Sequence, residues 1–306
     1  MRSGIVIIHK EKGMTSHQVV GQVRRILHER KIGHSGTLDP DVTGVLPLCI
    51  GQATRLIEYI QDQDKSYRAE MTLGYSTATQ DASGELVAQG SPDGITEEHV
   101  QHAFEHFQGW IWQTPPAYSA LKVQGKRAYE LARAGEEVHL QKRRVHIYEI
   151  KLVSFQTSND EVKVLFDVTC SKGTYIRTIC HDIGAWLGCP AHMSGLVRTR
   201  SGPFSLGEAY TLAEVQSAMN EGDIGRVIRA PRAAVAHLPV WQVSEGLEKR
   251  MRSGQSISLA PLQLHRRWPQ DCLIQVVSHT DDLIAIYRIA HNEHGSDVAK
   301  PEKVFS

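Results

Sequence analysis

Residues 162–170 alternate without a break, with Val162, Val164, Phe166, Val168 and Cys170 on one side of an extended chain. A period of two predicts a strand buried on one face only. Such a strand belongs to a sheet with one covered face, and a slip of one residue would turn its whole apolar set to water, so its register is strictly specified. The same alternation places Tyr67, Ala69, Met71 and Leu73 on one face of a strand over 66–73. Further strands are expected over 5–8, 145–155, 273–277 and 283–289. Thr15-Ser16 caps a helix in which Val19, Val20, Val23, Ile26 and Leu27 recur at helical spacing. Other helices are expected over 96–107, 129–134, 174–187 and 211–219, with Glu97 and Glu98 placed where the helix dipole favours them and Gly135 and Gly188 as stops. Strands and helices mix without a regular βαβ rhythm, which selects α+β over a doubly wound fold. Beyond about residue 238 the pattern becomes β-rich and predicts a small separate module.

Composition is that of an ordinary globular chain, with 41% hydrophobic and 22% charged residues in 306. Net charge is zero, which argues against a broad basic footprint. The cations are clustered nonetheless: Lys122, Lys126 and Arg127; Lys142, Arg143 and Arg144; Arg198 and Arg200; His265, Arg266 and Arg267. Five cysteines, odd in number and without a C-x-x-C pair, suit reduced cytosolic thiols and not a disulfide framework. The spacing of Cys189 and His192 could seed a metal site, but no second pair completes it, so no metal is expected. The apolar run at the N-terminus is too short for a signal peptide, and no stretch approaches the ~18 apolar residues of a membrane span.

The segment GHSGTLDPDVTGVLP, residues 33–47, holds three glycines, two prolines and two aspartates. Backbone of this kind turns sharply or approaches something closely. It lacks the Gly-Lys-Ser/Thr of a phosphate-binding loop and the G-x-G-x-x-G of a dinucleotide site. Two readings stand. Asp39 caps a turn and Pro40 starts a helix, or a rigid loop aims the Asp39 carboxylate into a cleft.

Gly33-His34-Ser35-Gly36-Thr37-Leu38-Asp39-Pro40, continued by Thr43-Gly44, Leu46-Pro47 and Gly51-x-Ala53-Thr54-Arg55, resembles the signature of the TruB family of pseudouridine synthases. Four further blocks resemble the same family in the right order. They are Lys65-Ser66-Tyr67 with Thr77-x-Thr79-x-Asp81-x-x-Gly84, Pro115-Pro116-x-Tyr118-Ser119-Ala120-x-Lys122, Tyr129-Glu130-x-Ala132-Arg133-x-Gly135, and Ser171-Lys172-Gly173-Thr174-Tyr175-Ile176-Arg177 with Leu196-x-Arg198. The likeness runs over roughly residues 4–205. One departure lies in the N-terminal block, written in the family with Asp-Lys-Pro before a glycine. Here it reads His9-Lys10-Glu11-Lys12-Gly13, so a fixed φ angle is lost with the proline.

The resemblance implies an α+β catalytic domain over 1–237, built on a mixed, mostly antiparallel sheet with flanking helices, and a PUA-like RNA-binding domain over 238–306. It implies conversion of uridine-55 in the tRNA T-loop to pseudouridine, without cofactor or metal, by a cytoplasmic enzyme. Nothing in the sequence calls for more than a monomer. Asp39 is then the essential carboxylate, either nucleophile at C1′ or base at the 2′-hydroxyl, and a buried Asp39 needs a cationic partner, for which Arg177 is the candidate. Tyr67 stacks on the flipped base, His34 fills the space it leaves, and Tyr175 and Leu196 line the uracil pocket. Tyr118, Lys122, Lys126 and Arg127 belong to a segment that closes on RNA, and Arg266 and Arg267 reach towards the acceptor end. Two competing functions are a catalytically silent RNA-binding protein on the same scaffold, and a glycoside hydrolase. The first leaves the set Asp39, Tyr67 and Arg177 without a chemical purpose. The second needs another acid across the sugar, and Asp41 is too close in sequence.

Overall fold

The computed structural model describes residues 3–123, 125–158, 161–260, 268–291 and 297–305. Its larger part is built on a ten-stranded sheet. Eight strands follow the order Ile228–Arg229, Gly4–Lys10, Thr43–Ile50, Ala191–Ser201, Lys65–Leu73, Val162–Cys170, Arg143–Thr157 and Gly109–Gln113. Ile32–His34 pairs with Thr43–Ile50, and Phe204–Ser205 with Ala191–Ser201. One pairing in this sheet is parallel, where Val197 lies opposite Thr43 and Arg198 opposite Gly44. The others are antiparallel. The α+β architecture read from the sequence is the observed one.

The alternation decides which face is covered. Val162, Val164, Phe166, Val168 and Cys170 are all buried, as are Ala69, Met71 and Leu73 on the neighbouring strand. Packed with them are Val19, Val20, Val23 and Leu27 of the helix Ser16–Leu27, Val100, Ala103 and Phe104 of Glu97–Phe107, and Ile176, Ile179 and Ile183 of Ile176–Leu187. Each fully buried aliphatic side chain of this kind contributes about 1.5–3 kcal/mol. The first helix begins with a capping box between Thr15 and Gln18. The third begins at Ile176 and not at the expected 174. Thr174 and Tyr175 are held outside it, the first through its hydroxyl to the Ser171 carbonyl at 2.9 Å, the second through its N–H to Gln113 at 2.8 Å.

A second sheet of five strands comprises Val240–Gln242, Leu273–Val277, Leu283–His291, Asp297–Val304 and Ile257–Ser258 in that order. Trp241, Met251, Trp268, Ile274, Val276 and Tyr287 form its core. It does not hang on a linker. Ile286 and Phe305 enter an apolar cluster with Ile5, Ala53, Leu56, Ala234 and Val235 of the larger part, and Lys303 pairs with Glu58 at 2.8 Å. Arg266 and Arg267, expected to reach towards the acceptor end, lie outside the described residues.

Candidate active site

The loop after His34 is fastened from four directions. Ser35 is fully buried and donates both its N–H and its hydroxyl to the Pro47 carbonyl, at 3.1 and 3.3 Å. The Ser16 hydroxyl accepts the Leu38 N–H at 2.9 Å and donates to the Leu38 carbonyl at 3.1 Å. Lys10 has no exposed surface, and its Nζ donates to the carbonyls of Val42 at 2.7 Å, Pro40 at 2.9 Å and Glu11 at 3.0 Å. Arg198 donates from Nε to the Val45 carbonyl at 2.8 Å and from Nη2 to the Gly36 carbonyl at 3.2 Å. Gly44 makes the closest approach. Its φ is +108°, and a Cβ there would stand 2.2 Å from the Arg198 carbonyl oxygen, so no other residue fits. No helix starts at Pro40. The Asp39 carbonyl accepts the Val42 N–H at 3.1 Å in a tight turn, which leaves the Asp39 carboxylate free of capping duty.

That carboxylate meets Arg177, with Nη2 to Oδ2 at 3.2 Å. The expectation of a buried aspartate is corrected in one respect. The Asp39 side chain is 50% exposed, and the buried member of the pair is Arg177 at 8%. Its guanidinium is a junction. Nη2 also donates to the Tyr118 carbonyl at 3.2 Å, while Nη1 reaches the Thr79 carbonyl and Asp81 Oδ2, each at 3.3 Å. One planar cation therefore ties together the Asp39 loop, the turn over 77–84 and the segment around Tyr118. Asp81 is itself saturated: its Oδ1 accepts the Thr79 hydroxyl at 2.7 Å, the Ser83 N–H at 3.0 Å and the Ser83 hydroxyl at 2.6 Å. Burial alone raises the Asp81 carboxyl, but the bonds from Ser83 and Thr79, joined by the Arg177 charge, outweigh it and hold the group below its ordinary value.

Tyr67 sits on the strand Lys65–Leu73 between Val168 and Arg198. Burial raises its phenol, the adjacent Arg198 guanidinium pulls the other way, and the Asp39 charge pushes it up again. Arg198, its cross-strand neighbour, thus stands between Tyr67 and the loop carbonyls that Arg198 binds. Leu196 lies on the same strand as Arg198, opposite Ala69, and packs on the main core. Tyr175 precedes the helix Ile176–Leu187. The buried Gln113 side chain clamps its backbone from both sides, accepting the N–H at 2.8 Å and donating to the carbonyl at 2.9 Å. The Arg143 guanidinium lies 4.5 Å from the centre of its ring. His34 accepts the Gly36 N–H at Nδ1, 3.4 Å away, and its ring meets that of His17 at 5.3 Å. Burial, then the His17 and Arg198 charges, hold its imidazole below the ordinary histidine value. The direct contact within the expected set is Asp39–Arg177. Of the other four, Tyr175 is clamped by Gln113, His34 is bonded to the loop backbone, Tyr67 lies beside Arg198 and Leu196 packs on the main core.

Cys189 and His192 point elsewhere, the thiol to the Pro190 carbonyl and the imidazole Nδ1 to the Tyr75 carbonyl at 3.1 Å. Among the described residues no three His, Cys, Asp or Glu side chains gather as a metal site would require, and no helix is long and apolar enough to cross a membrane.

Residues 24–176 match the family profile of the TruB family pseudouridylate synthase N-terminal domain, and residues 177–235 that of the tRNA pseudouridylate synthase B C-terminal domain. The tRNA pseudouridine synthase B of Bacillus pumilus is 41% identical over 308 residues, covering 100% of this chain and 98% of that protein. Its counterpart in Geobacillus thermodenitrificans is 42% identical over 305 residues, covering 99% of each. A solved chain from a Cbf5-Nop10-Gar1 complex superposes with a TM-score of 0.76 at 29% identity, over 99% of this chain and 85% of that one. An H/ACA RNP bound to a substrate RNA containing 2'-deoxyuridine contains a chain with the same TM-score at 27% identity, again over 99% and 85%. With sequence likeness along its whole length and the fold in agreement, the chain belongs to the TruB family of pseudouridylate synthases.

Proposed function

We propose that this protein isomerises uridine-55 in the T-loop of tRNA to pseudouridine. The observation that carries the reading is the Asp39 carboxylate, half exposed on a rigid loop and held at 3.2 Å by the buried Arg177. The target base is stacked inside folded RNA and has to be flipped out before any group reaches it. His34, at the start of the loop and kept neutral by its surroundings, enters the space left in the stack. Tyr67 stacks on the flipped uracil, a contact worth ~1–3 kcal/mol, with Tyr175 and Leu196 closing the pocket.

Asp39 then acts at the ribose, either attacking C1′ or acting as base at the 2′-hydroxyl. The N1–C1′ bond breaks and its electron pair leaves with the uracil. The ring turns and C5 bonds to C1′ as the Asp39–C1′ bond of the first path breaks, or as the proton taken in the second returns to the ribose, and the C5 proton departs while N1 takes one up. Atoms and electrons balance within the nucleotide, so no cofactor or metal is required. Arg177 holds the Asp39 carboxylate aimed throughout. The segment with Tyr118, Lys122, Lys126 and Arg127 closes over the RNA. Residues 1–237 act as the catalytic domain and 238–306 as a PUA-like RNA-binding domain, in a monomeric cytoplasmic enzyme. A silent scaffold would leave the Asp39–Arg177–Asp81 arrangement without use.

The test is tritium release from an unmodified tRNA transcript labelled at uracil C5, with wild type beside Asp39→Asn. Release by wild type only, mapped to the T-loop, is expected. A wild type that binds the transcript and releases nothing would return the reading to the silent RNA-binding protein. Release by both would remove Asp39 from the chemistry.

A further inference from the structure

The chain carries no net charge, yet one exposed strip of it is cationic. On the helix Ser16–Leu27, Val19, Val20, Val23 and Leu27 turn to the core. Positions 17, 21, 24 and 28 recur at helical spacing on a different face. His17, Arg24 and His28 stand exposed on it, and Gly21 leaves its middle low. At one end His17 touches His34, ring to ring at 5.3 Å. At the other, Arg24, Arg25, His28, Glu29 and Arg30 line an open concavity of about 440 Å³. The strip is about 16 Å long at 1.5 Å per residue. That length spans several phosphates of a nucleic-acid strand, which follow one another every ~3.4 Å along a duplex.

The fold uses only part of this charge. Arg24 donates from Nη2 to the Ile32 carbonyl at 2.8 Å, and Glu29 accepts the Lys31 N–H at 3.2 Å. Arg24 and Arg25 occupy the last helical turn, where a cation suits the dipole. Arg30 lies beyond the helix, where the dipole gives no reason for it. Among the described residues neither the Arg25 nor the Arg30 guanidinium makes a hydrogen bond or an ion pair. Two arginines without acceptors, lining a concavity at one end of a strip whose other end meets His34, are complementary to backbone phosphate.

We propose that the concavity at the end of this strip binds phosphates of the substrate RNA outside the segment that enters the cleft, with Arg25 and Arg30 as the contacts. The proposal rests on the reading of the cleft as the site of a flipped uridine, since that reading brings RNA to His34. It supplies a local electrostatic footprint for a chain whose total charge supplies none.

The experiment is equilibrium binding of an unmodified tRNA transcript across a salt series, with wild type, the double variant Arg25→Ala/Arg30→Ala and the double variant Arg25→Lys/Arg30→Lys. Loss of two phosphate contacts makes the plot of log affinity against log salt less steep by about 1.4–1.8, which is about 15–30-fold weaker binding at 0.15 M salt. The lysine pair retains the charge and is expected to restore most of the slope, and KM for tritium release rises more than kcat falls in the alanine pair. An alanine pair that melts like wild type and keeps its slope and affinity overturns the proposal, as does a lysine pair as flat as the alanine pair. Binding is read without turnover. A wild type that binds with a steep slope but releases no tritium therefore sinks the reaction and not this surface.

Discussion

Asp81→Asn isolates the support behind the catalytic pair. Asparagine keeps the shape of the side chain. In the rotamer that preserves the bonds from Thr79 and Ser83 it turns an amide NH2 towards Arg177 Nη1, donor against donor, where Oδ2 now stands at 3.3 Å. Removing one partner of a fully buried ion pair costs about 3–5 kcal/mol. Here the Asp81 carboxylate is 20% exposed and Asp39 still faces the arginine, so the cost falls to about 2–3 kcal/mol, in the range of a single hydrogen bond to a charged group. For a chain of this size that is a melting temperature lower by roughly 4–12 °C. The assay is thermal or urea unfolding of wild type and variant as a function of pH. The Asp81 carboxyl is held below 3.8 in the folded protein. A group with a depressed folded pKa contributes stability that is complete above its unfolded value and disappears as pH falls through the folded one. The gap between the two proteins is therefore full from pH 7 to 5 and closes below pH 3.8. A gap of equal size at pH 3 and pH 7 would refute the electrostatic account, and no gap at pH 7 would refute the role of Asp81 altogether.

Three other substitutions probe the same frame. Arg177→Lys keeps the charge but reaches one or two of the four acceptors now held at 3.2–3.3 Å. Tritium release should fall about 100-fold, the scale of a 1 Å misplacement, and activity within threefold of wild type would contradict the positioning role. Gly44→Ala puts a Cβ 2.2 Å from the Arg198 carbonyl oxygen at a φ of +108°. A loss of about 2–4 kcal/mol in urea unfolding is expected, and a neutral result would mean that the two strands can part at their parallel contact. Lys10→Met leaves the Val42 carbonyl without the ammonium and the Pro40 carbonyl with the Gly13 N–H alone. It should destabilise by about 2–4 kcal/mol, and a loss under 0.5 kcal/mol would show that water replaces the ammonium.

Whatever depends on local period was legible. Alternation at 162–170 marked a one-faced strand because that strand has one covered face, and the Thr15 cap marked a helix start because its hydroxyl meets a backbone donor three residues on. The order of strands was not. The parallel contact of Thr43 with Val197 joins segments far apart in the chain, and nothing in either segment names the other. Buried polar groups were the second gap. Lys10 stands in the polar run His9-Lys10-Glu11-Lys12, yet it is sealed because its strand ends beneath the loop whose carbonyls it binds. The missing proline of that block matters less for the same reason. Glu11 and Lys12 are exposed, and the loop is fastened by the Lys10 ammonium and by the Gly13 N–H to the Pro40 carbonyl at 2.9 Å. Gln113 carried no signal at all, since a glutamine that clamps a distant backbone looks like any other glutamine until the two meet.

The sequence reading paired Arg177 with Asp39 and stopped there, which left one cation facing one anion. A simple pair of that kind locks both groups. The observed arrangement divides the duties between two carboxylates. Asp81 binds Arg177 while accepting three further hydrogen bonds through its other oxygen, so its lone pairs are spent and its charge is fixed. It holds the guanidinium in place from behind, together with the Thr79 and Tyr118 carbonyls. Asp39 meets the same guanidinium from the open side through one oxygen, half exposed, and among the described residues its side chain accepts no backbone N–H. One carboxylate anchors the arginine and the other is left with free lone pairs facing solvent. The environment, and not the residue type, separates the structural acid from the one available to a ribose.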